Sequence, residues 1–124
     1  MENQFLCGDS FEILPTLKDG SVYSVLTDPP YGIKIADWDD GVDIQTFSKH
    51  AARVCTHFYA FFGQMPSLAN WVAVAQEWMQ YREHIAWVKR NACPTTGLSK
   101  SHESIILFKH KGAKFVVCKG KYSD

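Results

Sequence analysis

Two consecutive prolines, Pro29 and Pro30, stand directly behind the apolar run Val22–Leu26. Proline fixes φ near about −65° and offers no backbone N–H, so neither residue can continue a central strand or sit inside a helix. The residue before a proline is pushed out of the helical region as well. The run Val22–Leu26 must therefore end as a strand, and Thr27-Asp28-Pro29-Pro30-Tyr31-Gly32 must be a stiff turn. A chain with such a corner at a strand end places one acidic and one aromatic side chain at a fixed point.

The remaining pattern supplies the frame around that corner. Phe5-Leu6-Cys7 is a short apolar strand candidate ending at Gly8-Asp9. Asp9 followed by Glu12 has the spacing of a capping box, which predicts a helix from Ser10 to about Lys18 with Phe11, Leu14 and Leu17 on one face. Ile44, Phe47, Ala51 and Val54 have helical spacing, and Phe58–Phe62 is an apolar run short enough for a buried strand. Pro66 opens a further helix bearing Leu68, Val72, Ala75 and Met79. Strands are expected at Ile85–Val88, Ser104–Phe108 and Lys114–Cys118, with a polar loop from Lys89 to Lys100 and a turn at Lys111-Gly112. Strands alternating with helices predict an α/β fold with a mostly parallel sheet, finished by a C-terminal antiparallel hairpin. Ligands in such sheets sit beyond the carboxyl ends of the strands, where Asp28 falls.

Composition sets outer limits. The 124 residues suit one small domain, and 46% hydrophobic with 21% charged residues is ordinary for a globular chain. No apolar run approaches the roughly 20 residues of a membrane span, and the N-terminus lacks the form of a signal peptide, so a cytoplasmic protein is expected. The net charge is zero but unevenly placed. Residues 1–81 carry 4 basic and 10 acidic side chains, a balance of −6; residues 82–124 carry 9 basic and 3 acidic, a balance of +6. A basic surface at one end facing phosphates and a solvated, lysine-dotted hairpin both account for this. Cys7, Cys55, Cys93 and Cys118 form no C-x-x-C pair and no zinc-ligand spacing. Free thiols are expected, with Cys7, Cys55 and Cys118 as small core residues.

The corner has a specific chemical use. The exocyclic amine of a nucleobase is a poor nucleophile because its lone pair is delocalised into the ring. A carboxylate accepting one N–H and a fixed carbonyl accepting the other draw the nitrogen toward tetrahedral geometry and free the lone pair. Asp28 supplies the first acceptor and the Pro29 carbonyl the second, held in place by the ring. Tyr31 offers a flat face to an extruded base. The plainer reading makes Asp28 a turn former and Tyr31 a packed aromatic.

Thr27-Asp28-Pro29-Pro30-Tyr31-Gly32 resembles the catalytic motif of the S-adenosylmethionine-dependent DNA amino-methyltransferases, which methylate the amine of adenine or cytosine. Gly8-Asp9-Ser10, the helix after it and Ser21-Val22 resemble the start of the permuted subgroup, in which this motif precedes the cofactor-binding part. Trp38-Asp39 is similar to the loop that follows the motif in many phage and prophage members. Trp87-Val88-Lys89, a Pro/Gly loop and Ser101-His102-Glu103-Ser104-Ile105-Ile106-Leu107-Phe108 resemble their later strands. The resemblance implies a partial Rossmann-like methyltransferase sheet and methyl transfer from S-adenosylmethionine to a base flipped out of double-stranded DNA, as in bacterial restriction-modification. Asp28, Pro29, Pro30 and Tyr31 would be catalytic; Asp9, Ser10 and Asp28 would touch the cofactor. Aspartate heading the motif implies adenine ahead of cytosine.

The sequence departs from the family at one place. No glycine-rich turn of the F-x-G-x-G type occurs: Phe61-Phe62-Gly63-Gln64-Met65 has the first glycine only. The family would also place two further strands between those ending at Asp9 and Asp28. Low activity of the chain alone is expected, with a homo-oligomer or a completing subunit as partner; the alternative is an inactive remnant that binds DNA or another chain. Other features have plain readings. His102-Glu103 is expected as a surface pair, and Asp37, Asp39, Asp40 and Asp43 as a mobile acidic loop able to close over a base. Trp71 and Trp78 are expected as packing residues or a partner-facing stripe, and Asp9 caps a helix as readily as it contacts a cofactor.

Overall fold

The computed structural model describes residues 4–32, 34, 36, 37, 39–62, 67–93 and 100–115. Helix α1 (Ser10–Ile13) runs into a 3₁₀ turn, Leu14–Thr16; strand β1 (Val22–Thr27), helix α2 (Ile44–Val54), strand β2 (Cys55–Phe62), helix α3 (Ser67–Ala75) and strands β3 (Gln80–Cys93) and β4 (Lys100–Lys109) follow. The sheet order is β1-β2-β4-β3. β1 and β2 are parallel, joined through α2, whereas β4 lies antiparallel between β2 and β3. One parallel and two antiparallel pairings make a mixed sheet, which corrects the mostly parallel one expected. Periodicity reports which face of a strand is buried but not which strand lies beside it, so the insertion of β4 was not visible in the pattern.

Local chemistry explains the elements. Asp9 accepts from the Phe11 N–H at 2.8 Å and starts α1. The helix does not reach Lys18, because Pro15 has no N–H to give to residue 11 and the chain tightens into the 3₁₀ turn. Asp43 accepts from the Thr46 N–H at 3.1 Å and starts α2; the hydrogen bond from the Thr46 side chain, and then that from its N–H, hold the Asp43 carboxyl below its ordinary range. Phe47, Ala51 and Val54 of α2 are buried against Phe58, Ala60 and Phe62, alternate residues of β2. Trp71 of α3 closes this core, its ring 5.3 Å from Phe62 and 5.9 Å from Phe47 between centroids. Burial of each such side chain contributes about 1.5–3 kcal/mol, so these aromatics dominate the stability of the helix-covered face.

Three further expectations are revised. Phe5-Leu6-Cys7 joins no strand; Phe5 is fully exposed, and Cys7 is an exposed free thiol rather than a core residue. Cys55 is a buried free thiol, as expected, whereas Cys118 lies outside the described residues. The hairpin is β3–β4, not Ser104–Phe108 with Lys114–Cys118, and both strands run further than their apolar cores. Residues 113–115 are not in a strand. They cross toward β1 instead: the Tyr23 hydroxyl donates to the Lys114 carbonyl at 3.3 Å, and the Phe115 ring lies 4.8 Å from buried His57. Trp38, Gly63-Gln64-Met65 and Pro66 lie outside the described residues, as do residues 116–118.

Candidate functional site

The carboxyl ends of β1, β2 and β3 and the amino end of β4 come together at one edge of the sheet, a consequence of β4 alone running the other way. The Asp28–Gly32 corner leaves β1 at this edge. Asp28 is exposed, Pro29 is buried, and Pro30 and Tyr31 are half-buried. The Tyr31 hydroxyl donates to Asp28 Oδ1 at 2.5 Å. Burial, then the Asp28 hydrogen bond and charge, and then the charge of Glu103 push the Tyr31 hydroxyl well above its ordinary range, so it remains a donor throughout the physiological range. One carboxylate oxygen of an exposed side chain is thereby fixed.

The loop behind the corner is anchored. Asp39, 3% exposed, accepts from the Gly32 N–H at 2.8 Å, and its own N–H donates to the Ala36 carbonyl at 2.9 Å. Gly32 has φ +69°, and a Cβ there would lie 3.5 Å from the Gly41 Cα, so the two arms of the loop pass backbone against backbone. A mobile acidic loop was expected at Asp37–Asp43. Asp39 instead serves as a buried tie that sets the exit of the Pro-Pro turn, with Asp37 and Asp40 exposed beside it.

On the other side of the edge, Lys89 of β3 forms an ion pair with Glu103 of β4, and its ammonium lies 5.0 Å from the centroid of the Trp87 ring. Trp87 meets Phe61 of β2 edge-on at 5.8 Å. Glu103 is thus half-buried and paired, not part of a surface dyad; His102 is exposed. Pairing also means that Lys89 is not a free phosphate contact. Residues 94–99 of the polar loop expected from Lys89 to Lys100 lie outside the described residues, and Arg90 remains exposed. Sequence reasoning missed the Tyr31–Asp28 bond and the roles of Asp39 and Glu103. The i, i+3 spacing across the prolines signals the first; nothing local signals the others, which depend on contacts seven or more residues away.

Asp9 and Ser10 are both exposed at the start of α1. The Asp9 carboxylate spends Oδ1 on the Phe11 N–H, leaving its second oxygen outward. Among the described residues no cluster of metal-ligand side chains occurs. The groups present fit the acceptor side of an amine methylation. For a nucleoside-bearing donor the described residues offer two exposed polar side chains, Asp9 and Ser10.

No family model matches the chain. Its fold is shared with solved structures. TTHA0409 of Thermus thermophilus, described as a candidate DNA modification methylase, superposes with a TM-score of 0.69 at 20% identity, covering 90% of this chain and 54% of that one. M1.HpyAVI, solved as a complex with SAM, superposes with a TM-score of 0.67 at 21% identity, covering 94% and 59%. TTHA0409 has also been solved with S-adenosyl-L-methionine, at a TM-score of 0.68 and 18% identity. The chain therefore has the fold of one part of these proteins and spans a little over half of their length. Among the described residues no helix is long and apolar enough to cross a membrane.

Proposed function

We propose that this chain is the acceptor-binding part of an S-adenosylmethionine-dependent DNA amino-methyltransferase, with the N6 amine of an adenine in double-stranded DNA as its methyl acceptor. The observation that carries the reading is the corner itself: an exposed carboxylate at a strand end, one oxygen fixed by Tyr31, on a rigid Pro-Pro turn. Asp28 accepts one amine N–H through its other oxygen, and the Pro29 carbonyl accepts the second. The amine nitrogen is held with its lone pair directed out of the base plane. Tyr31 stacks on the extruded ring while its hydroxyl keeps Asp28 in place. S-adenosylmethionine supplies, when bound, a methyl group on a sulfonium that needs no further activation. Asp9 and Ser10 are the residues of this chain assigned to it. The rest of its cradle belongs to polypeptide outside the described residues, in line with the share of the solved neighbours that the chain spans.

The test is methyl transfer from radiolabelled S-adenosylmethionine to unmethylated bacterial DNA, with the modified nucleoside identified after digestion. Weak formation of N6-methyladenine, lost in Asp28→Ala, is the expected result. N4-methylcytosine would reassign the base, and label in RNA or protein alone would remove DNA as substrate. A second reading, a non-catalytic DNA- or subunit-binding remnant, is favoured by the missing second glycine after Phe62. Calorimetric titration with S-adenosylmethionine, with and without DNA, separates the two: no heat of binding in either case supports the remnant.

A further inference from the structure

The feature that the methyl-transfer reading leaves unused lies at the opposite edge of the sheet. There the start of β3 and the end of β4 enclose an open groove of about 780 Å³, whose lining includes Trp78, Tyr81, Arg82, Lys109, His110 and Lys111. The register Gln80↔Lys109 fixes it at the amino end of β3, and six residue steps along β4, about 20 Å of strand, separate Lys109 from Glu103 at the acceptor edge. This is also where part of the positive excess of residues 82–124 collects.

We propose that this groove is a second binding site, for single-stranded nucleic acid, independent of the Asp28 corner. Three observations support it. First, the groove is cationic: its lining holds Arg82, Lys109 and Lys111 against the one carboxylate, Glu77, and Arg82 and Lys111 are exposed with no salt bridge among the described residues. Second, it presents π-faces. Trp78 is 37% and Tyr81 43% exposed. Tyr81 is steadied edge-on by Phe108 at 6.4 Å, and Lys49 sits 5.8 Å from the Trp78 ring. Third, its floor is fixed. His110 bonds the Ala52 carbonyl at 2.7 Å through its ring, and Lys109 donates to the Ala113 carbonyl at 2.8 Å. Cations spaced along a groove with exposed aromatics suit a phosphodiester strand whose bases stack without sequence preference. A duplex keeps its bases stacked inside and cannot use the rings, so an unpaired strand is the occupant.

The probe is a fluorescein-labelled dT10 oligonucleotide titrated with the whole chain and followed by anisotropy. Thymine has no exocyclic amine, so the Asp28 corner has nothing to hold. Expected results are saturable binding at 50 mM salt, at least tenfold weakening in the double variant Arg82→Glu/Lys111→Glu, and about tenfold weakening in Trp78→Ala. Asp28→Ala should bind as the parent does. The log–log salt slope should flatten by about 1.4 in the double variant, since each phosphate contact with a single strand contributes about 0.7. If the charge-reversed chain fails to give the parent's circular dichroism, Arg82→Gln/Lys111→Gln replaces it, with the same direction expected. Binding unchanged by these substitutions, no binding of dT10 at millimolar chain, or loss of binding in Asp28→Ala each overturns the proposal. None of these outcomes bears on methyl transfer, which is read by the separate assay above.

Discussion

Asp28 and Tyr31 are three residues apart, yet what joins them is the turn between. Two prolines leave the chain one way to go, and the tyrosine hydroxyl returns to the carboxylate at 2.5 Å. In Tyr31→Phe the ring remains for stacking and only this bond is lost. The carboxylate then rotates freely, and methyl transfer should fall about tenfold through kcat with little change in the affinity for DNA, as for a group that positions another. Stability should move by no more than about 1 kcal/mol, the usual net worth of one hydrogen bond. An equal loss in Tyr31→Phe and Tyr31→Ala would show that the hydroxyl, not the ring, carries the effect. Cys55 gives a prediction of a different kind. Burial pushes its thiol from about 9 up to about 11, so the folded chain holds that proton longer than the unfolded one. Its contribution to stability is complete below pH 9 and is lost as the pH rises toward 11. Urea midpoints measured from pH 8 to 11 should fall more steeply in the parent than in Cys55→Ala; parallel curves would contradict the assignment.

At the level of elements, Arg53 does what local propensity cannot. It stands in the last turn of α2, and its guanidinium donates to the carbonyls of Leu14 and Leu17 at 2.7 Å each, while pairing with Asp19. These carbonyls lie at the two ends of the 3₁₀ turn, where the Leu14 carbonyl also accepts from the Leu17 N–H at 3.2 Å. One side chain thus ties the segment before β1 to the helix after it. Arg53→Met keeps the stem and removes the donors. A loss of about 2–3 kcal/mol in denaturant unfolding is expected, because two bonds from a charged donor are lost and the carbonyls are left half-covered. A loss below about 0.5 kcal/mol would mean that water replaces the guanidinium. This tie explains where the sequence was readable and where it was not. Helix α2 was legible because its apolar stripe is written within eleven residues, although its cap, Asp43, reads in sequence as part of an acidic loop. The corner was legible because proline constrains only itself and its neighbours. The division of the first helix at Pro15 was legible in principle from that residue alone. The place of β4 between β2 and β3 was not, since Phe58↔Phe108 and Ile85↔Ile105 are pairings across many residues that alternation does not encode. Asp39 was misread for the same reason: its burial depends on Gly32 and Gly41 passing close together.

For the molecule as a whole, the decisive feature is that the sheet ends at β1. Among the described residues no strand pairs with the outer side of Val22–Thr27. Leu26 on that strand is 67% exposed, and Phe5 and Leu6, which the sequence led us to expect in a strand, are 100% and 61% exposed. The outer strand of a sheet with apolar side chains beside it invites another strand. On the proposed reading of the chain as one part of a methyltransferase, a completing segment or a second copy is the occupant to test. In isolation the chain should therefore self-associate, with a sedimentation coefficient that rises over the range from about 5 to 200 μM. A lysine on an edge strand opposes such pairing by placing a charge that the neighbour must desolvate. Leu26→Lys should shift the chain toward monomer across that range and leave the unfolding free energy within about 0.5 kcal/mol of the parent's, because the side chain is already mostly in solvent. It should also weaken any gain in methyl transfer produced by adding a completing polypeptide in trans. A chain that sediments as a monomer at about 200 μM, with no change on introducing the lysine, would show that this edge is capped from within.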